Sequence, residues 1–389
     1  MKLERLLLLS DLMICETEAK LLVDGKLEQL FSPELCELLF SSNQVVVANL
    51  EGPITRTGKK QGKGDSPSIK SDPEIMRFLE RFPNLIISGA NNHITDFSDD
   101  GLRDTQRILK SHNIPAIGFA GVGDNLCAEY EITLDGQRIY IYAVAQNEFS
   151  SLRYNSFGAN GYDPLTTFDH IYDLKSKVDH LIVIFHGGKE NYQYPTPEQQ
   201  RICRKMISCG ADLVVCQHSH CIGCQETYLD GNIIYGTGNF FFNLSADSLW
   251  DDSLIPIVSV KNNGKLFVDY TVIQRNNHYI SIAKGNVREK ILNDFDERSS
   301  KISDQSFVTD NWVSYCKQNQ YYLLMKGFSR MPMRFFYRID SLLGHVFFRK
   351  MFKNSERNLT DLNILRCEVI NEMAQTIFSE LGRGKEQND

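Results

Sequence analysis

Val214-Val215-Cys216-Gln217-His218-Ser219-His220 is an apolar run that ends in two histidines one residue apart. Neutral imidazole is the commonest protein metal ligand. Side chains two apart on an extended backbone share a face, so both rings can address one ion. Three more segments have the same form of apolar run followed by polar residues: Leu6–Leu9 then Ser10-Asp11, Val45–Ala48 then Asn49-Leu50-Glu51, and Leu181–Phe185 then His186. A fifth, Leu85-Ile86-Ile87-Ser88-Gly89-Ala90-Asn91-Asn92-His93, ends in an amide and an imidazole. Carboxylates, an amide and imidazoles delivered by five strand ends predict a metal site along one edge of a sheet.

Singly, these residues have ordinary explanations: Asp11 as a helix cap, Asn92 as a turn former, His186 as a core imidazole. Their joint occurrence is harder to dismiss. Of nine histidines, four (His93, His186, His218, His220) lie just after apolar strands. His112, His170, His180, His278 and His345 fall in polar or helical contexts and read as solvated or packing residues. A rival grouping, Cys216, His218, His220, Cys221 and Cys224, would form a local zinc knot. Such sites normally close with two well-separated ligand pairs, and this cluster is compressed. Cys203 and Cys209 read as small buried residues.

The elements that must position these groups alternate in type. Strand-like runs at 5–9, 45–50, 85–89, 139–145, 181–186, 212–216 and 233–236 are rich in Val, Ile and Leu, and several are apolar throughout, as strands buried on both faces are. Helical periodicity marks 28–40, 73–82, 99–112 and 197–209. The last begins at Thr196-Pro197-Glu198, with Thr as N-cap and Pro at the first helical position, and ends at Cys209-Gly210. This alternation predicts an α/β layered fold. Segments 130–142 and 228–234 each read as a hairpin through Asp-Gly, which makes the sheet mixed. Residues 53–72, rich in Gly, Lys, Ser and Pro, form a loop leaving the strand that carries Glu51, placed to close over a site.

The 389 residues allow one large domain with an appendage, here 1–290 followed by a helical, basic and aromatic extension at 300–389. Apolar content of 42% and charged content of 23% are ordinary for a globular chain. A net charge of −7 excludes general steering toward nucleic acid. Ten scattered cysteines read as free thiols in a reducing compartment. The apolar stretch Leu6–Leu9 is too short for a signal-peptide core, and no run approaches the ~20 apolar residues of a spanning helix. A cytoplasmic location follows as the expectation. Between Lys317 and Lys353, eight Lys or Arg face one acidic residue, Asp340, and aromatic pairs interrupt them. That pattern suits peripheral contact with an anionic inner-membrane surface, or a polyanion-binding face. It does not suit nucleic acid, for no groove-reading motif accompanies it. Residues 358–381 read as an amphipathic helix.

The series Asn49-Leu50-Glu51-Gly52-Pro53-Ile54-Thr55, Ala90-Asn91-Asn92-His93-Ile94-Thr95-Asp96, His186-x-Gly188-x-Glu190, His218-x-His220 and Tyr235-Gly236-Thr237-Gly238-Asn239-Phe240 resembles the capsule-synthesis (CapA-type) and poly-γ-glutamate synthesis accessory proteins. These look like a branch of the calcineurin-like metallophosphoesterase superfamily. The resemblance covers about residues 5–275, with Gly101-Leu102-x-x-Thr105 and Gly210-Ala211-Asp212 in support. It implies a four-layer α/β/β/α sandwich and a hydrolase, of phosphoester type, in capsule or surface-polymer biosynthesis. By the same resemblance Asp11 and His220 bind one metal, Asn92, His186 and His218 bind a second, and Glu51 bridges. His93 protonates the leaving oxygen, Asp96 orients it, and Glu190 and Asn239 contact the substrate, an anionic polymer or phosphoester. One or two divalent ions (Mn, Fe, Co or Zn) suit oxygen and imidazole donors without thiolate.

Several positions depart from the superfamily. Its first motif is Asp-x-His, whereas this chain has Asp11-Leu12-Met13, so one ligand to the first metal is missing. Glu51 replaces an Asp, Ser10 and Gln217 replace glycines, and Asn191 stands where a Tyr would follow Glu190. The missing ligand keeps a rival open, a non-catalytic accessory that binds polymer or partner and retains metal for structure. Metal-dependent amide cleavage of a γ-glutamyl-type substrate is a third reading.

Overall fold

The computed structural model describes residues 2–61, 67–242, 244–245, 247–328 and 339–352. The expected helix at 358–381 and part of the basic segment 317–353 lie outside the described residues. Chain contacts divide the molecule into two compact units, Met1–Asp310 and Asn311–Asp389.

The first unit is built on two sheets. In the first, β1 (Arg5–Leu12), β2 (Gln44–Leu50), β3 (Leu85–Ser88) and β4 (Ala116–Ile117) run parallel. Beyond β1 the antiparallel strands β14 (Asp252–Val260), β15 (Leu266–Asn276) and β16 (Tyr279–Ile282) extend it, and the short β13 (Asn239–Phe241) also pairs with β1. The second sheet has the order β11 (Gln225–Tyr228), β12 (Gly231–Tyr235), β10 (Leu213–Gln217), β9 (His180–His186), β7 (Gln137–Ala145), β6 (Glu129–Leu134), with antiparallel pairs at both edges. The two-residue strands β5 (Phe119–Ala120) and β8 (Gly158–Ala159) pair separately.

Alternation along the strands explains the layering. Ile139, Ile141, Ile182, Ile184, Leu213, Val215 and Ile234 of the second sheet join one core with Leu6–Leu9 and Val45–Val47 of the first. Their neighbours Val144, Leu181, Val183, Phe185, Val214 and Ile233 face the other way. They pack on Ile171 and Leu174 of helix α5 (Thr167–Lys175) and on Cys203 and Met206 of α6 (Pro197–Ser208). On the first sheet lie α1 (Glu16–Val23), α2 (Pro33–Leu39), α3 (Met76–Leu79) and α4 (Ser98–Ser111), through Leu22, Leu35, Phe78 and Leu102. The fold is therefore the expected α/β/β/α sandwich. The strands covered on both faces are apolar along their middles, which is why they stood out in the sequence.

Phe78 shows what holds the first helical layer. Its ring stacks on Phe31 at 5.1 Å and meets Phe82 edge-on at 5.1 Å. Phe78→Ala is expected to cost about 3–5 kcal/mol, read as a lowered denaturant midpoint with an unchanged slope.

Local signals held with small shifts. Ser32 Oγ accepts from Leu35 N–H at 3.3 Å to cap α2, so the helix expected over 28–40 starts only at Pro33. Likewise 73–82 divides into a 3₁₀ turn and α3. Thr196 Oγ1 accepts from Gln199 N–H at 3.0 Å to cap α6. The hairpin β6–β7 turns through Asp135-Gly136, both at positive φ. In β11–β12 the turn is instead Leu229-Asp230, because Gly231 pairs with Tyr228 inside the ladder. A Cβ at Gly231 would lie 2.7 Å from Ile207 Cδ1, so packing rather than turning explains that glycine.

After β16 come α7 (Gly285–Lys301) and α8 (Gln305–Phe328). In the second unit, α9 (Val346–Phe352) is capped by Asp340, whose carboxylate accepts from Phe347 N–H at 2.8 Å.

Candidate metal centre

Parallel register brings the polar strand ends together. Asp11 pairs with Asn49 on one side and with Asn239 on the other. In the second sheet, Gln217 lies beside His186, and His186 beside Ala145. Just past Gln217 the chain turns sharply, with His218 at φ +91° and His220 at φ +55°. Non-glycine residues take this region only where the surroundings compel it, and functional sites are a common case. Gln217 Nε2 donates to Leu9 O at 3.2 Å, a tie between the two sheets that a glycine at this position lacks.

His186 is the centre of the cluster. Its Nε2 stands 3.0 Å from Asn92 Oδ1 and 3.5 Å from Glu51 Oε1. On its other edge, Nδ1 is 4.0 Å from Asp11 Oδ1. The His218 ring lies 4.8 Å from it, centroid to centroid. Burial, and secondly the neighbouring His218, drive His186 well below the ordinary imidazole value, so it is neutral and able to donate a lone pair. Burial likewise lowers His218.

Asp11 and His220 are bound to each other. His220 Nδ1 sits 3.1 Å from Asp11 Oδ2 and 2.8 Å from Asn239 Oδ1. Burial opposes ionisation of Asp11, but the hydrogen bond and charge of His220, helped by His186 and Asn49, hold it at about 2. Burial also opposes the His220 cation, and the Asp11 partner outweighs it and raises that pKa. The His220 ring is stacked on Phe242 at 5.2 Å and lies 4.3 Å from Trp250. Met13, where the superfamily has its second first-motif ligand, belongs to an apolar cluster with Ile69, Phe242 and Trp250. Asn191 has a structural partner in Trp250, whose Nε1 donates to Asn191 Oδ1 at 2.8 Å.

His93 follows Asn92 directly, and its Nδ1 is 2.7 Å from Asp96 Oδ2. The same carboxylate oxygen accepts Ile69 N–H at 2.8 Å, and Asp96 O accepts Gln61 N–H at 2.9 Å. Both described arms of the 53–72 loop are thus anchored beside this pair. Glu190 is at the rim, half-exposed, with Oε1 3.9 Å from His218 Nε2. Burial raises its pKa, and the nearby histidines, His218 first, outweigh that and lower it. Asn239 is buried and its Oδ1 serves His220.

Two residues at the site are given no role in the sequence reading. Asn49 Nδ2 donates to Asp11 Oδ1 at 2.8 Å and to Glu51 Oε2 at 2.6 Å, holding two buried carboxylates that would otherwise repel. Asn91 fixes it in turn, donating to Asn49 Oδ1 at 3.0 Å. The signal was present, since Asn49 ends an apolar strand two residues before Glu51. The other is Glu148, three residues beyond β7, which contacts both Asn92 and His218.

The donor chemistry fits a divalent ion. Among the described residues, Glu51, His186 and His218 form the group of His, Cys, Asp and Glu whose ligand atoms all lie within 4.8 Å of one another. His218 Nδ1 is a buried nitrogen without a hydrogen-bond partner. The cysteine grouping does not assemble. Cys216 faces the outer core, 3.6 Å from Cys203, while His218 faces the site. Burial pushes Cys221 up to about 12 and Cys224 higher still.

A family model, "Bacterial capsule synthesis protein PGA_cap", matches residues 9–244. The "PGA biosynthesis protein CapA" of Bacillus subtilis (strain 168) is 25% identical over 235 residues, which cover 59% of this chain and 60% of that protein. The "Capsule biosynthesis protein CapA" of Bacillus anthracis is 25% identical over 239 residues, 59% of this chain and 57% of that one. The match therefore spans less than two thirds of either relative. Among solved structures, a novel phosphatase from Mycoplasma pneumoniae superposes with a TM-score of 0.43 at 13% identity, over 71% of this chain and 95% of its own. With its matched region running from the end of β1 to just past β13, and so spanning every strand end described above, this chain belongs to the bacterial capsule synthesis family PGA_cap.

Proposed function

We propose that this protein is a metal-dependent phosphoester hydrolase serving the synthesis of a capsule or other surface polymer. The observation that carries the reading is the convergence of Glu51, His186 and His218 within 4.8 Å, beside the His93–Asp96 pair. Glu51, His186 and His218, with Asn92 Oδ1, would hold the ion, and borderline donors of this kind suit Mn, Fe, Co or Zn. An ion there would supply Lewis acidity toward a phosphoryl oxygen and toward water. Asp96 fixes His93 through Nδ1, which leaves Nε2 to deliver a proton to the departing oxygen. Glu190, half-exposed at the rim, contacts the substrate. Asn239 and Asp11 hold His220 in place.

A single ion per chain is expected. His220 Nδ1 is taken up by Asn239 Oδ1 at 2.8 Å with Asp11 Oδ2 3.1 Å away, and Met13 offers an apolar wall in place of a ligand. Elemental analysis of the purified protein, paired with a screen of phosphomonoesters and phosphodiesters in Mn, tests the reading. Protein with no transition metal and no turnover would overturn it.

Met13 favours one alternative, an accessory that keeps the ion for structure alone. For partners, the reading takes an anionic polymer or phosphoester as substrate. It gives the basic segment 317–353 peripheral contact with an anionic inner-membrane surface from the cytoplasmic side. No described helix is long and apolar enough to cross a membrane.

A further inference from the structure

In the second sheet β9 ends at His186 and β10 leads into His218, and the chain beyond β7 brings a further group, Glu148, to the same place. Glu148 Oε2 accepts from Asn92 Nδ2 at 3.2 Å, and two residues later Ser150 Oγ donates to Asn92 O at 2.7 Å. The same loop therefore grips Asn92 at its side chain and its backbone. A carboxamide donates only through nitrogen and accepts only through oxygen. A carboxylate on the nitrogen side of Asn92 thus dictates that Oδ1 faces the opposite way, toward His186 Nε2 at 3.0 Å. The other Glu148 oxygen, Oε1, lies 3.5 Å from His218 Nε2. One carboxylate touches two of the groups that would hold the ion, and neither sheet places it there through strand pairing.

The geometry points to Glu148 as a positioning residue for the metal centre, one that locks the Asn92 amide with its oxygen toward the ion. This rests on the metal-centre reading above. Partners of this kind fix ligand orientation, and losing one typically weakens metal binding about 10–100-fold. Ser150 is buried and also meets Thr95 Oγ1 at 2.7 Å, so it anchors the loop. Glu148 itself retains 36% side-chain exposure, so replacing it should leave the fold intact.

Three variants of the full chain separate contact from charge. Glu148→Ala removes both. Glu148→Asp keeps the charge but withdraws it by one methylene. Glu148→Gln keeps an acceptor oxygen at full length without the charge. Titration with Mn alone, against a chromophoric chelator, gives the dissociation constants, and metal-free melting curves check folding. The Ala and Asp variants should bind Mn about 10–100-fold more weakly, with melting unchanged and Gln close to the parent. Wild-type affinity in the Ala or Asp variant would overturn the assignment, as would a Gln variant as weak as Ala. Absence of Mn binding by the parent chain would overturn the metal-centre reading itself, and this inference with it.

Discussion

Replacement of His93 by Ala is expected to lower turnover by about 10²–10⁴-fold, the usual contribution of a positioned proton donor, while bound metal stays at the parent level. The separation follows from geometry. His93 lies one residue from Asn92, yet its Nδ1 is directed to Asp96, away from the groups around His186. Removing its ring leaves Glu51, His186, His218 and Asn92 in place. Asp96→Asn should produce a smaller fall, because the ring remains and only its tautomer and orientation are released. Measuring initial rates and metal content on the same preparations decides the matter. Equal rates in parent and His93→Ala protein, with metal present in both, would favour the accessory role.

His186→Ala is the second large effect, and here the metal should go first. His186 touches Asn92 and Glu51 through one ring edge and faces Asp11 through the other. Without it, the remaining imidazole of the converging group is His218, and two buried carboxylates lose the ring between them. Bound metal is expected to fall from stoichiometric to background after dialysis, and turnover with it. His220→Ala should act differently, freeing Asp11 inside a wall of Phe242 and Trp250 and lowering stability more than metal content. Elemental analysis alongside melting of the metal-free proteins distinguishes the two. A His186→Ala protein that kept its metal would move the centre elsewhere.

The parts of this site that were legible are those where an apolar run stops at a polar residue. Asp11, Glu51, Asn92, His186, His218 and His220 all sit at such ends, because a strand covered on both faces must be apolar until it leaves the sheets. Glu148 has no such mark. It lies in an exposed polar stretch after β7, and its partner Asn92 is 56 residues away, a pairing only the fold creates. The strands β14 and β15 were missed for a related reason. β15 alternates half-buried and exposed positions along much of its length, and β14 carries Pro256, so neither has the unbroken apolar run of the central strands. The helices α1 and α5 are short and weakly patterned, with only three buried residues each. Gln217 and Asn191 read as departures in the sequence. In the structure one bridges the sheets, and the other holds the indole that walls His220.

The groups around His186 come from both halves of the sandwich, Glu51 and Asn92 from the first sheet, His186 and His218 from the second. An ion seated among them is thus a clasp across the seam, and its binding equilibrium becomes part of the folding equilibrium. At a free metal concentration one hundred times the dissociation constant, such coupling adds about 2.7 kcal/mol to the folded state. Chelators would then behave as mild denaturants of this protein, and metal supply in the cell would set how long the chain survives.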